Sequence, residues 1–251
     1  MMINIRTSSE IAKIRRASSI VARALKLVKD NAQPGISLDY LDMVAKDFII
    51  SCNARASFEG LYGFPKSICL SVNDVIIHGI PSSYILKKGD ILGVDIGVEH
   101  DGWYGDAAIT FGIGDISRID NILIEASDYI LNEAIDNIRV GMYFKELSKL
   151  LQDLIVDRGF LPLLGFCGHG IGNSPHEAPD IPNFVNGNVM EGPKIKNGMV
   201  FCVEPMICQK SGNPLILDDN WSVVSEDGLS GSHSEHTIAM IDNKAIVLSK
   251  E

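Results

Sequence analysis

The chain has 251 residues, 46% of them hydrophobic and 22% charged, and a formal net charge of −10. Such a composition excludes a disordered chain and leaves one large globular domain or two fused halves. The acidic balance, with no long basic run, gives little basis for binding nucleic acid or an anionic membrane surface.

Thr7-Ser-Ser-Glu10 fits a helix capping box, and Ile11, Ile14, Ala17, Ile20, Val21, Ala24, Leu25 and Val28 follow at helical spacing. Pro34-Gly35 breaks this helix. Ser37 can cap a second one, with Leu38, Leu41, Val44, Ala45, Phe48 and Ile49 on one stripe. Residues 53–65 read as irregular. Ser67 to Val72 and Val75 to His78 read as strand-like, with a turn at Gly79-Ile-Pro81. Asp95 to Asp106, entered from Val94, reads as a β-hairpin around an Asp101-Gly102 type I′ turn. With that turn as its centre, Asp95 lies opposite Ala108, and Asp106 sits two residues away on the same face. Two carboxylates on one apolar face need a shared proton or a cation to offset their repulsion. A three-residue loop would send them to opposite faces.

The second half repeats the rhythm. A long helix carries Ile119, Ile122, Leu123, Ala126, Ile130, Leu131, Ala134, Ile135 and Ile138, and Gly141 ends it. A shorter helix carries Leu147, Leu150, Leu151, Leu154 and Ile155. Strand-like segments follow at Leu161 to Phe166, Met199 to Val203, Ser234 to Met240 and Ala245 to Leu248. Pro34-Gly35-Ile-Ser-Leu38 resembles Val140-Gly141-Met-Tyr-Phe144, 106 positions on. Lys88 to Asp95 resembles Asn197 to Glu204, 109 positions on. Two nearly equal offsets imply a duplicated helix-helix-strand unit. The expected architecture is α+β, one domain over residues 1–251 with repeats roughly at 7–112 and 113–248. Asp95 and Glu204 are then equivalent across a pseudo-two-fold axis.

Cys52, Cys69, Cys167, Cys202 and Cys208 lack C-x-x-C spacing and read as reduced thiols of a cytosolic protein. The opening residues show no signal-peptide h-region, and no window approaches 18 uninterrupted apolar residues, so no membrane span is expected.

The second half also carries His169 in Cys167-Gly-His-Gly-Ile-Gly172, His176 in Ser174-Pro-His-Glu-Ala-Pro179, Glu204 at the end of an apolar strand and Glu235 at the start of another. Each alone fits an ordinary loop or strand-end residue. The alternating glycines allow close backbone approach, whereas the fingerprint spacing of a dinucleotide loop is absent. Together Asp95, Asp106, Glu204, Glu235 and one histidine suit two divalent ions of the Mn, Fe, Co or Zn kind. The scarcity of thiols speaks against a structural zinc cage.

These motifs, with Asn73-Asp-Val-Ile-Ile-His78-Gly and Val203-Glu-Pro-Met206, resemble the type I methionine aminopeptidases of the pita-bread fold over nearly the whole chain. Only 34 residues separate His169 from Glu204, where type II relatives carry a long insert. The resemblance implies two pseudo-symmetric halves around a curved antiparallel sheet. It implies that Asp95 chelates one metal, that Asp106 and Glu235 bridge both, and that His169 and Glu204 complete the second. Glu204 would also be the general base, His78 the contact to the scissile amide and His176 the oxyanion donor. Phe58, Leu61, Phe64, Cys69 and Trp221 align with residues lining the methionine pocket in relatives. His236 would face away as core or support, His100 would sit solvated in the hairpin loop, and His233 shares strand parity with Glu235 but is expected at the surface. Cys167 and Cys202 also share parity with ligands and are expected as buried thiols.

The implied activity is removal of the initiator methionine from nascent chains with a small second residue. It would be carried out by a cytoplasmic monomer near the ribosome, with no nucleic acid or membrane partner. An Xaa-Pro aminopeptidase of the same fold and a non-enzymatic binding protein are the competing readings. The chain departs from the usual bacterial pattern at Leu61, Ala107, Asn173, Pro175 and Gly231 to Ser234, none of them a ligand position.

Overall fold

A computed structural model describes residues 3–250. Met1 and Met2, the first residues of the stretch that shows no signal-peptide h-region, lie outside the described residues. Helix α1 (Ser8–Asn31) starts as its capping box dictates. Thr7 Oγ1 accepts the Glu10 N–H, and Glu10 Oε2 accepts the Thr7 N–H at 2.7 Å. Ser37 caps α2 (Leu38–Ser51) through the Tyr40 N–H. Then come β1 (Arg55–Ala56), a 3-10 turn (Leu61–Gly63), β2 (Cys69–Val72), β3 (Val75–Ile77) and the long hairpin β4 (Ile91–His100) and β5 (Trp103–Gly112). The second half runs α3 (Arg118–Asn137), α4 (Phe144–Asp157), β6 (Leu161–Pro162), β7 (Cys167–Gly170), β8 (Glu177–Pro182) and β9 (Val200–Val203). It ends with β10 (Met206–Cys208), β11 (Pro214–Ile216), β12 (Val223–Ser225), β13 (Ser232–His233), β14 (His236–Ile241) and β15 (Lys244–Val247). No helix among the described residues is long and apolar enough to cross a membrane.

Asp101 and Gly102 both have positive φ, 53° and 76°, as a type I′ turn requires. The hairpin register follows: Asp95 pairs with Ala108 and Gly97 with Asp106. Both carboxylates therefore rise from one face of the ribbon. Gly97 is glycine for a packing reason, since a Cβ there would meet Ser57 Oγ and the Phe58 ring.

The antiparallel pairings form four ladders: β1-β4-β2 with β5 on β4, β13-β10-β6, β11-β12-β3, and β15-β14-β9-β7-β8. The two largest are stitched together beside the carboxylates. Glu235 N donates to Ala108 O at 2.9 Å, Asp106 N to Thr237 Oγ1 at 3.0 Å, and Thr237 Oγ1 to Asp106 O at 2.7 Å. Helices α1 and α2 bury Val21, Leu25, Leu41 and Ile49 against Leu70, Val94 and Ile96. Helices α3 and α4 bury Ile130, Leu147 and Leu151 against Phe201, Val203 and Ile238. Ile119 and Ile122 of the α3 stripe stay exposed in its first two turns, 47% and 42%.

One set of backbone hydrogen bonds occurs twice. Gly35 N donates to Leu86 O, Leu86 N to Ile36 O and Leu38 N to Tyr84 O. Gly141 N donates to Ile195 O, Ile195 N to Met142 O and Phe144 N to Pro193 O. Each pair is related by 106 positions on one side and 109 on the other. Gly35 and Gly141 share a left-handed φ, 94° and 92°.

Three regions differ from the sequence expectation. Leu161 to Phe166 forms strand only over its first two residues, and residues 53–65 contain β1. The polar, proline-bearing β8 and the short strands β10 to β13 carry too few alternating apolar residues to show as strands in the sequence. Asp42, on an otherwise apolar face of α2, is buried because its Oδ1 accepts the N–H groups of Ser67 and Ile68 at 2.9 and 3.1 Å. Asp42→Ala leaves two buried donors unpaired and is expected to destabilise by about 2 kcal/mol in urea unfolding. A change under about 0.5 kcal/mol would show that the strand entry tolerates their loss.

Candidate metal centre

The carboxylates meet where the two large ladders join. Asp95, Asp106 and Glu235 offer oxygens within 4.8 Å of one another, and Glu204 and Glu235 do so with His233. Cys202, His169 and Glu235 form a third such group. Among the described residues every one of these trios includes Glu235. His169 Nε2 lies 3.5 Å from Glu204 Oε1. All five residues expected as ligands are thus gathered in one place.

Backbone packing sets the position of each. Gly168 and Gly170 bracket His169 on β7. A Cβ on the first would meet Cys202 O of the neighbouring strand, and one on the second would meet Ala178 O. The glycines serve a tight strand crossing, as expected, and no helix follows them. Glu204 sits between β9 and β10, its carbonyl held by Asn183 Nδ2 at 2.8 Å. Arg6 pairs with Glu177 at 2.5 Å. Glu177 in turn accepts the N–H groups of Asn173 and Ser174, which fixes the loop carrying His176. This pairing across 171 residues had no signal in the sequence.

The electrostatics ask for a cation. Asp95 Oδ1, Asp106 Oδ1, Glu204 Oε1 and Glu235 Oε1 are buried without a hydrogen-bond partner. Burial pushes Asp95 up to about 6. Burial, then the charges of Glu235, Asp95 and Glu204, drives Asp106 well above the carboxylate range. Burial and like-charged neighbours do the same to Glu204 and Glu235. His169 Nδ1 lies 3.0 Å from Gly170 O, which can only accept, so Nδ1 carries the proton. Burial, reinforced by His176, holds the ring neutral, with its pKa down to about 3. The bare Nε2 lone pair therefore faces an unpartnered carboxylate oxygen of Glu204. Two lone pairs held at that distance fit a divalent ion with mixed oxygen and imidazole ligands.

Cys202 is buried, and burial with the Glu235, Asp106 and Glu204 charges raises its thiol pKa well above the ordinary value. It stays an S–H and lies 3.6 Å from Thr237 Oγ1. His233 corrects the surface expectation: it is 4% exposed, and its Nε2 lies 3.6 Å from Glu204 Oε2. His100 is the last residue of β4, with 20% of its side chain exposed, so it is neither in the turn nor freely solvated. His236 is half-buried and bonded through Nδ1 to Ser249 Oγ at 2.9 Å, away from the carboxylates.

A cavity of about 330 Å³ opens onto this cluster. Phe58, Leu61, Phe64, Cys69 and Trp221 line one end as a separate apolar group, with Phe64 edge-on to Trp221 at 5.1 Å. His78 and His176 line the polar end. His78 holds a left-handed φ of 58° and packs edge-on against Phe166 at 5.6 Å; burial takes its pKa down to about 4. His176 stands edge-on to His169 at 4.3 Å, and burial lowers its pKa. Tyr62, not singled out from the sequence, is 79% exposed at the mouth. Its ring is nearly parallel to that of His176, 6.2 Å away.

The chain is 56% identical over 252 residues to the methionine aminopeptidase of Helicobacter pylori strain ATCC 700392 / 26695, covering all of both. The crystal structure of methionine aminopeptidase from Thermotoga maritima superposes with a TM-score of 0.96 at 33% identity, again covering all of both chains. Prolidase from Pyrococcus furiosus shares the fold, with a TM-score of 0.79 at 20% identity; 98% of this chain corresponds to 65% of that one. Residues 12–242 match the metallopeptidase family M24. The chain therefore belongs to metallopeptidase family M24, among its type I methionine aminopeptidases, and has the pita-bread fold of that family.

Proposed function

We propose that the chain is a metal-dependent aminopeptidase that hydrolyses the N-terminal methionine from proteins and peptides, with nascent chains bearing a small second residue as its substrates. The observation that carries this reading is the apposition of an apolar slot and a buried set of four carboxylates and an imidazole in one cavity. The slot suits a thioether side chain: it is apolar, aromatic, and has the Cys69 thiol in its wall. Tyr62 and His176 line the mouth, where the residue after the methionine would lie.

Asp95, Asp106, His169, Glu204 and Glu235 would hold two divalent ions, with Asp106 and Glu235 shared between them. When bound, the ions supply Lewis acidity, acidifying water and polarising the scissile carbonyl. Glu204 takes the proton from the attacking water through one carboxylate oxygen, while the other, Oε1, lies toward His169 at 3.5 Å. His176 donates to the oxyanion that develops, a contribution typically worth about 3 kcal/mol. His78 sits on the same wall and reaches the amide nitrogen; burial keeps it neutral at pH 7, so it can accept and return a proton. The apolar walls of the slot exclude water beside the bond being cut.

Residues 1–251 act as one catalytic unit made of two repeats, roughly 7–112 and 113–248. The hydrogen bonds repeated at offsets of 106 and 109 positions support that duplication. All five cysteines are free thiols, which supports a cytoplasmic setting.

The test is release of free methionine from Met-Ala-Ser by chelated and then metal-reconstituted protein. Release that depends on added metal is the expected result. Cleavage of Ala-Pro-type peptides in its place would favour an Xaa-Pro peptidase, and no cleavage with any divalent ion would favour a binding protein.

A further inference from the structure

We infer that His233 is a positioning residue for Glu204: its Nε2–H holds Glu204 Oε2 and so leaves Oε1 directed toward His169 and the ion between them. The inference rests on Glu204 being the base. A carboxylate that both binds a metal and takes a proton needs one oxygen for each task. Left free to rotate, Glu204 would engage metal through both oxygens and lose the lone pair the proton needs.

His233 is built to prevent this. It pairs with Met206 across β13 and β10, which brings it to the strand that follows Glu204. One side chain fixes its backbone at both ends: Thr110 Oγ1 donates to His233 O at 2.7 Å and accepts the His233 N–H at 3.1 Å. The next residue is tied as well, since Ser234 Oγ donates to Asp128 Oδ1 at 2.7 Å and accepts from Ser127 Oγ at 2.9 Å. The ring is buried, and its Nε2 has no hydrogen-bond partner. Glu204 Oε2, 3.6 Å away, is the acceptor facing it. A shift of less than about 1 Å closes that gap to an ordinary N–H···O bond.

The two imidazoles around Glu204 are not equivalent. His169 has its proton committed to Gly170 O, so its Nε2 faces Oε1 as a lone pair and cannot donate. No hydrogen bond among the described residues ties the other nitrogen of His233, so a proton on its Nε2 gives that orphaned atom an acceptor. Glu204 thus has a ligand-type imidazole on one oxygen and a donor-type imidazole on the other. Supporting contacts of this kind commonly change metal affinity or activity by 10–100-fold when removed.

The test compares the metal-reconstituted wild-type enzyme with His233→Leu, which removes the donor, and His233→Gln, which restores one without an imidazole. For Met-Ala-Ser, His233→Leu is expected to lower kcat by 10–100-fold with KM within about threefold, and His233→Gln to stay within about fivefold of wild type. Calorimetric titration of the chelated proteins with Mn²⁺ is expected to give affinities within about threefold for all three. A kcat in His233→Leu within tenfold of wild type would overturn the inference. So would a loss of Mn²⁺ affinity beyond tenfold in both variants, which would make His233 a ligand. Should His233→Leu fail to fold, His233→Gln decides alone: kcat within fivefold supports the inference, and a larger fall overturns it. A silent wild-type enzyme would instead overturn the methionine-release reading.

Discussion

Glu204→Gln is expected to lower kcat for methionine release by about 10³-fold, within the range general bases contribute, while the protein folds normally. The substitution keeps the shape of the side chain and removes its ability to take a proton. It also removes one of four carboxylates crowded into a buried cluster, where Asp95 and Glu204 raise each other's neighbours. The metal-free variant should therefore melt at or above the wild-type temperature, a trade of stability against activity. Circular dichroism melts beside single-turnover assays check both halves. Retention of more than about a tenth of wild-type kcat would remove Glu204 from the role of base.

Metal binding should stabilise the protein far more at pH 8 than at pH 5. Asp95 has its folded pKa raised to about 6 from an ordinary 3.8. The folded state then holds a proton that the unfolded state has released, so this group's contribution is fully present below about pH 4. It is lost as pH rises through about 6, a change of roughly 3 kcal/mol by linkage. Asp106, Glu204 and Glu235 act in the same direction at higher pH. The buried histidines act oppositely. His78 and His236 are held down to about 4 and His169 to about 3, so their contribution is lost as pH falls below the ordinary value of 6.5. The melting curve of the metal-free protein mixes both trends. The increment on adding metal does not, because ions require the carboxylates deprotonated and His169 is already neutral. Protonation of Asp95, whose folded pKa lies about one unit above pH 5, costs about 1.4 kcal/mol of binding there, so Mn²⁺ should raise Tm by at least about 3–6 °C more at pH 8 than at pH 5. A pH-independent increment would mean the carboxylates are not the ligands.

How much was readable in advance depended on whether local chemistry fixed the geometry. The Asp101-Gly102 dipeptide fixes a two-residue turn, the turn fixes the register, and the register places Asp95 and Asp106 on one face. That chain of inference runs through neighbouring residues only. The capping box at Thr7 is of the same kind. His233 is not. Its parity with Glu235 was visible, but whether it faced solvent or Glu204 depended on β10 and Thr110, distant in sequence. Cys202 likewise could be a thiolate ligand or a thiol until the charges around it were known. The strands from β10 to β13 span two or three residues each, too short for a periodicity to register. Asp42 and the Arg6–Glu177 pair fall on polar residues whose partners lie 25 and 171 positions away.

The most direct measurement is methionine release from Met-Ala-Ser, followed as metal is added back to chelated protein and expressed per bound ion. The predicted result is an inactive metal-free protein whose activity returns with Mn, Fe, Co or Zn, bound metal saturating at two ions per chain, and no cleavage of Ala-Pro-type peptides. Release that persists after complete chelation, or none with any of the four ions, would contradict it.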